Sequence, residues 1–136
     1  MVLKFKTEKI FTNITPNIQG QIPVNFCGLV HIFSRHTTSG IRILEDETLL
    51  KADYERFLDE LAPEHGFYAH NIIDGRDVPP EERLNGHSHI RTLLFPTSET
   101  VPIENGKLML GKWQEIFLVE LDPTREREIV ISFMKQ

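Results

Sequence analysis

SETVPIENGKLMLGKWQEIFLVELDPTREREIVISFM, residues 98–134, is a succession of strands separated by turn signals. The apolar runs Ser98 to Ile103, Lys107 to Leu110, Trp113 to Leu121 and Glu126 to Met134 are broken at Glu104-Asn105-Gly106 and at Asp122-Pro123. Asn-Gly between apolar runs suits a tight hairpin, because both residues accept the positive φ that such a turn needs. Ile129, Ile131 and Phe133 recur at every second position, the period of a half-buried strand. An antiparallel meander is therefore expected to close the chain.

Working outward, Asn85 to Phe95 (NGHSHIRTLLF) reads as a helix: Ile90, Leu93 and Leu94 share a face, Asn85 is the cap and Pro96 ends it. Asp46 to Leu61 carries Leu49, Leu50, Tyr54, Phe57, Leu58 and Leu61 at helical spacing, with Asp46 as its cap. Between the two helices, Pro63 to Leu84 has no sustained periodicity and reads as a long loop holding His65 and His70. Nearer the start, Gly28 to Phe33 (GLVHIF) is apolar on both faces, as in a central strand. The polar turn of Ser34 to Ser39 and a strand from Ile41 to Leu44 follow it. Leu3 to Phe11 alternates apolar and charged residues as a first strand, and Ile14 to Val24 allows one helical turn before Gly20 and Pro23 stop it. The sum is a single-domain α+β protein with an antiparallel β-sandwich-like core and about two helices.

A net charge of −5 over 136 residues argues against sequence-independent nucleic-acid binding, which relies on basic residues neutralising phosphates. No segment approaches the roughly 20 apolar residues of a membrane span, and the N-terminus lacks the apolar core of a signal peptide, so a cytoplasmic protein is expected. The single cysteine, Cys27, excludes an intrachain disulfide and a thiolate-clustered zinc site. Any metal must use imidazoles and carboxylates.

His36, His70 and His89 each lie beside small polar residues at a loop or element end. Three neutral imidazoles with a fourth position open are the ligand set of a catalytic zinc site. They come from three separate segments, so spacing alone leaves open the alternative that each bonds a loop backbone or faces solvent. His87 and His89 point roughly opposite ways if their segment is helical, and His31 falls inside a strand. Glu45 and Glu47 offer a general base or a further ligand, or simply dipole-favourable residues at a helix start. Thr37, Thr38, Ser39 and Ser98 supply hydroxyls, and Arg91, Lys112, Arg125 and Arg127 supply cations suited to phosphate. Trp113 is either core or, with Gln114, a flank for a planar heterocycle.

HTTSGI from His36, the Glu45/Glu47 pair, YAH at Tyr68 to His70, NGHSH from Asn85, PTSETVPIENGKLMLGKWQEIFLVELD from Pro96, and Arg125-x-Arg127 together resemble the YjbQ family, also described as secondary thiamine-phosphate synthase. The resemblance implies a compact α+β sandwich, a homotrimer, and a metal or anion site near subunit boundaries. It maps the family's histidines onto His36, His70 and His89, with Asn85, Glu45 and Ser98 nearby. The implied activity joins a pyrimidine diphosphate to a thiazole phosphate, giving thiamine phosphate and pyrophosphate. Ser39, Gly86 and Ser88 depart from the residues common in the family, and the loop from Asn71 to Leu84 is particular to this chain.

The resulting expectation is a metal-assisted enzyme acting on phosphorylated small molecules. His36, His89, Glu45 and Asn85 would do the chemistry, while Thr37, Thr38, Ser98, Arg125, Arg127, Trp113 and Gln114 hold substrate. His36, His70 and His89 would bind a divalent metal such as zinc. The rival readings are a metal-dependent hydrolase with Glu45 as base, and a non-catalytic trimer that binds metal or phosphate.

Overall fold

The computed structural model describes all 136 residues. The strands are β1 (Val2–Thr7), β2 (Phe11–Asn13), β3 (Gly28–Ser34), β4 (Ser39–Glu45), β5 (Ser98–Glu104), β6 (Lys107–Leu108), β7 (Gln114–Glu120) and β8 (Arg125–Lys135). Three helices, α1 (Thr15–Gln19), α2 (Thr48–Leu61) and α3 (Gly86–Thr92), and a 3-10 turn at Ala69–Asn71 complete it. The strands form two antiparallel sheets, ordered β1-β8-β3-β5-β6 and β2-β7-β4. No helix is long and apolar enough to cross a membrane.

The sheets pack face to face over Ile14, Ile18, Val30, Ile32, Ile41, Val101, Ile103, Ile116, Leu118, Ile129 and Ile131. Period-two alternation delivers these side chains inward: Val30 and Ile32 from β3, Ile129 and Ile131 from β8. On the outer face of the smaller sheet, Phe11, Phe117, Val119 and Leu121 pack under Leu58 of α2. Strand β7 is thus apolar on both faces because it is covered on both, by the larger sheet and by α2.

That double cover is why the expected meander does not form. The β5–β6 hairpin closes at Asn105-Gly106, both at positive φ, but β7 crosses to the centre of the second sheet and β8 returns to the first. The first strand likewise divides, β1 pairing with β8 and β2 with β7. Helix α2 is capped by Glu47 rather than Asp46: the Glu47 carboxylate accepts from the Leu49 and Leu50 N–H groups, while Asp46 pairs with Lys51 and Asn13. At α3, Asn85 stands at the cap position without capping, since its amide donates instead to Asp122.

Gly86 seats α3 against the segment bearing His70. A Cβ there would lie 2.5 Å from Tyr68 Cβ and 2.8 Å from Tyr68 Cγ. Gly86→Ala is therefore expected to cost about 1 to 3 kcal/mol through overpacking, read as a lowered urea midpoint, and to push residues 68–71 away from α3. An unchanged midpoint would show that Tyr68 moves freely.

Candidate functional site

One end of the sandwich gathers most of the expected chemistry. Strand β3 ends at Ser34 and β4 begins at Ser39, with the two hydroxyls hydrogen-bonded at 2.7 Å in the buried base of the turn. The intervening Arg35, His36, Thr37 and Thr38 border a cleft of about 510 Å³. The 3-10 turn contributes His70, the following loop Glu82, α3 Asn85 and His89, and β8 Arg125 and Arg127. Arg125 and Arg127 are two apart on a strand and so share its face. None of the ten lining residues is hydrophobic.

Two buried carboxylates lie behind the arginines. Glu120, wholly buried, receives Arg127 Nε at 2.6 Å, Arg127 Nη2 at 2.5 Å, the Thr7 hydroxyl at 2.6 Å and the Asp122 N–H at 2.9 Å. Burial alone would raise the Glu120 carboxyl, but the bonds from Arg127 and Thr7 outweigh it and hold the group below its ordinary range. Arg127 Nη2 also donates to the Thr38 hydroxyl at 2.9 Å, which ties the β3–β4 turn to β8. Asp122 accepts from Arg125 Nη2 at 2.7 Å, Asn85 Nδ2 at 2.9 Å and Arg83 Nη1 at 3.2 Å. It too is held low against the opposing effect of burial, by those same three donors.

The histidines differ in what they leave free. His36 Nε2 accepts the Glu128 N–H at 2.9 Å, so in the neutral ring the proton sits on Nδ1. Burial first, and then the Arg127 charge, lowers the His36 pKa. His70 and His89 meet edge to face with ring centroids 4.6 Å apart, and neither ring is hydrogen-bonded within the protein. Burial lowers the His89 pKa, and the charge of His70 lowers it further. With folded values below 6.5, His36 and His89 are mostly neutral at pH 7. His70→Ala should raise the His89 titration midpoint toward 6.5; an unmoved midpoint by NMR would show the two rings to be uncoupled.

The fit to a metal is partial. Neutral imidazoles are the form that binds zinc, and His70 and His89 sit side by side. Yet no three His, Cys, Asp or Glu side chains converge to hold an ion, and His36 already spends Nε2 on the backbone.

Several expected residues lie elsewhere. The 7-residue β4 carries Glu45 roughly 20 Å from Ser39, and Gln114 pairs with Glu45 at that far end. The Gln114 side chain closes a turn by accepting the Gly111 N–H, and Trp113 is 64% exposed with Lys112 over its ring. None of these can join the histidines in one cleft of the chain. Ser98 pairs with Phe33 in the sheet and does not line the cleft. Across α3 from His89, His87 borders a second cleft, where Arg91 is committed to Asp59 and the Ala62 carbonyl.

Arg35, Glu82, Asp122 and Glu120 were not singled out by sequence. Glu120 carries a signal in retrospect, being a carboxylate inside the apolar run Trp113 to Leu121, where only a paired charge is tolerated. Glu82 carries none, since it sits in an aperiodic loop.

A profile described as UPF0047 protein YjbQ-like matches residues 1–136. The chain belongs to the YjbQ family. Similar sequences include a UPF0047 protein of Methanothermobacter thermautotrophicus, 43% identical over 105 residues, covering 77% of this chain and 67% of that one. Another, from Methanocaldococcus jannaschii, is 32% identical over 97% of this chain and 90% of its own. The crystal structure of a YjbQ/UPF0047 family protein from Clostridium acetobutylicum superposes with a TM-score of 0.83 at 31% identity, covering 98% of this chain and 99% of that one. Within this YjbQ chain, the small residues Gly86 and Ser88 have local reasons: Gly86 admits Tyr68, and the buried Ser88 hydroxyl donates to the Leu121 carbonyl.

Proposed function

We propose that this YjbQ protein is an enzyme acting on phosphorylated small molecules, with the anionic group held by Arg125 and Arg127. The observation that carries the reading is the set of guanidinium groups that border the cleft. Arg35, Arg125 and Arg127 line it beside a single lining carboxylate, Glu82. Each is also ion-paired, Arg35 with Glu128, Arg125 with Asp122 and Arg127 with Glu120, so what the cleft offers an anion is oriented N–H donors rather than a net positive charge. Arg125 Nη1, Arg125 Nε and Arg127 Nη1 have no partner within the protein, and Arg125 Nε is also buried. Asp122 and Glu120 hold the two guanidinium groups in place, so little reorganisation is needed when an anion arrives.

The reaction proposed is a thiamine-phosphate-synthase-type transfer. The thiazole nitrogen attacks the methylene carbon of the pyrimidine diphosphate, the carbon–oxygen bond breaks, and pyrophosphate departs with the bonding electrons. Arg125 and Arg127 receive the charge that develops on the leaving oxygens, Thr37 and Thr38 border the site, and Asn85, His36 and His89 orient the reactants. A divalent ion on His70 and His89, zinc for example, would add Lewis-acid charge at the same oxygens.

The proposal includes a homotrimer in the cytoplasm. Exposed apolar side chains on and near α2 and α3, such as Phe57 at 55% and Leu93 at 82% exposure, supply surface for subunit contact. Light scattering should give three times the chain mass. The test of the reaction is pyrophosphate release by purified protein and by His89→Ala. Release by the wild type and none by a folded variant is expected. Phosphate binding without release by either would favour the non-catalytic binding protein, to which the backbone-committed His36 is also suited.

A further inference from the structure

The cleft has unused acceptors as well as unused donors, and together they limit what can be attached to the phosphate. The Glu82 carboxylate makes no ion pair or side-chain hydrogen bond, and the Thr37 hydroxyl none. The His70 and His89 nitrogens are likewise unbonded, and Asn85 Oδ1 is buried without a partner. These groups border the same space as the arginines, and no apolar side chain borders it with them. The only tryptophan stands at the other end of the sandwich, beyond Glu45.

A planar apolar ring entering this cleft would find no apolar wall, only imidazole rings and guanidinium planes, and would leave the acceptors facing a surface that donates little. An acceptor left unpaired on ligand binding costs more than an ordinary hydrogen bond returns. A body carrying several hydroxyl groups does the opposite. Each hydroxyl donates to one of Glu82, Asn85 Oδ1 or an imidazole nitrogen, and its oxygen still accepts from Thr37 or an arginine.

We infer that the ligand for which this cleft is built is a polyhydroxylated phosphate ester, a sugar or polyol phosphate, with its phosphate on Arg125 and Arg127 and its hydroxyls on Glu82, Asn85 and the His70/His89 pair. The inference rests on the proposed phosphate site. It assigns the thiamine-type reaction to substrates that fill the anionic part of the cleft and leave the acceptors unused.

Isothermal titration of the full chain with inorganic phosphate, phenyl phosphate, ribose 5-phosphate and glucose 6-phosphate tests it. At least one sugar phosphate should bind about tenfold or more tightly than both inorganic phosphate and phenyl phosphate, the scale of a charged hydrogen bond or two. Glu82→Ala, at a half-buried loop position, should remove most of that advantage while leaving inorganic phosphate within about twofold. Equal affinity for phenyl and sugar phosphates, or tighter binding of phenyl phosphate, overturns the polyol assignment while leaving the phosphate site standing. So does a Glu82→Ala variant that retains the sugar advantage. Failure of all four ligands to bind removes the phosphate site itself, and this inference with it.

Discussion

Arg127→Ala is expected to destabilise the protein by about 3 to 5 kcal/mol, the usual cost of removing one partner of a buried ion pair. The Glu120 and Arg127 side chains are 0% and 5% exposed, so the carboxylate left behind has no route to water. The Thr7 hydroxyl and the Asp122 N–H would be its remaining donors. The loss should appear as a large fall in the urea midpoint with little change in slope. A variant replacing both members, Arg127→Met with Glu120→Leu, should recover much of it, because the attraction of a buried pair and its desolvation largely cancel. If Arg127→Ala unfolds with the wild-type midpoint, Arg127 does not neutralise Glu120.

The pH dependence has a definite sign. In the folded wild type the Glu120 carboxyl lies below its ordinary 4.5. Its contribution is therefore fully present above about 4.5 and is lost as pH falls through the lower folded value. In Arg127→Ala burial is no longer outweighed by the guanidinium, and the carboxyl rises. The stability difference between the two proteins should then be greatest at neutral pH and shrink on acidification. A difference independent of pH between 7 and 4 would assign the cost to lost packing instead.

Arg125→Ala should act on function rather than on folding. Arg125 is half-exposed, with its side chain 38% accessible, and its truncation leaves Asp122 still bonded to Asn85 and Arg83. Inorganic phosphate should bind about ten- to a hundredfold more weakly, as for a charged hydrogen bond. Pyrophosphate release should fall by about 10² to 10³, the cost of removing one donor from a developing oxyanion. Arg125→Lys should recover binding only in part, because an ammonium cannot both pair with Asp122 and present a second planar donor to the ligand. Unchanged phosphate affinity in a folded Arg125→Ala variant would place the anion elsewhere in the cleft.

Local periodicity made much of this architecture readable. Alternation in Glu126 to Met134, the two-faced apolar run of Gly28 to Phe33, the helical spacing from Leu49 to Leu61 and the Asn105-Gly106 hairpin each appear in the fold near where the residues placed them. The helix bearing His87 and His89 is also present, and its rotation per residue sends the two rings to different clefts, as spacing requires. His36, His70, His89, Thr37, Thr38, Asn85, Arg125 and Arg127 do border one cavity.

The choice of strand partner is not local. A strand's pattern records which of its faces are buried but not which sheet it joins. The two-faced apolar run of β7 is as compatible with a meander beside β8 as with its place between β2 and β4. Glu45, Gln114 and Trp113 looked like members of the site because their side chains are reactive. The direction of β4 and β7 carries them to the opposite end of the sandwich. Residue type and spacing along the chain announce strands, helices and the supply of histidines and arginines, since those depend on neighbours a few positions away. Which arginine is pinned by which buried carboxylate, and which acceptors remain free for a ligand, depends on contacts such as Thr38 with Arg127 and Arg83 with Asp122. Those contacts exist only after distant segments have packed against one another.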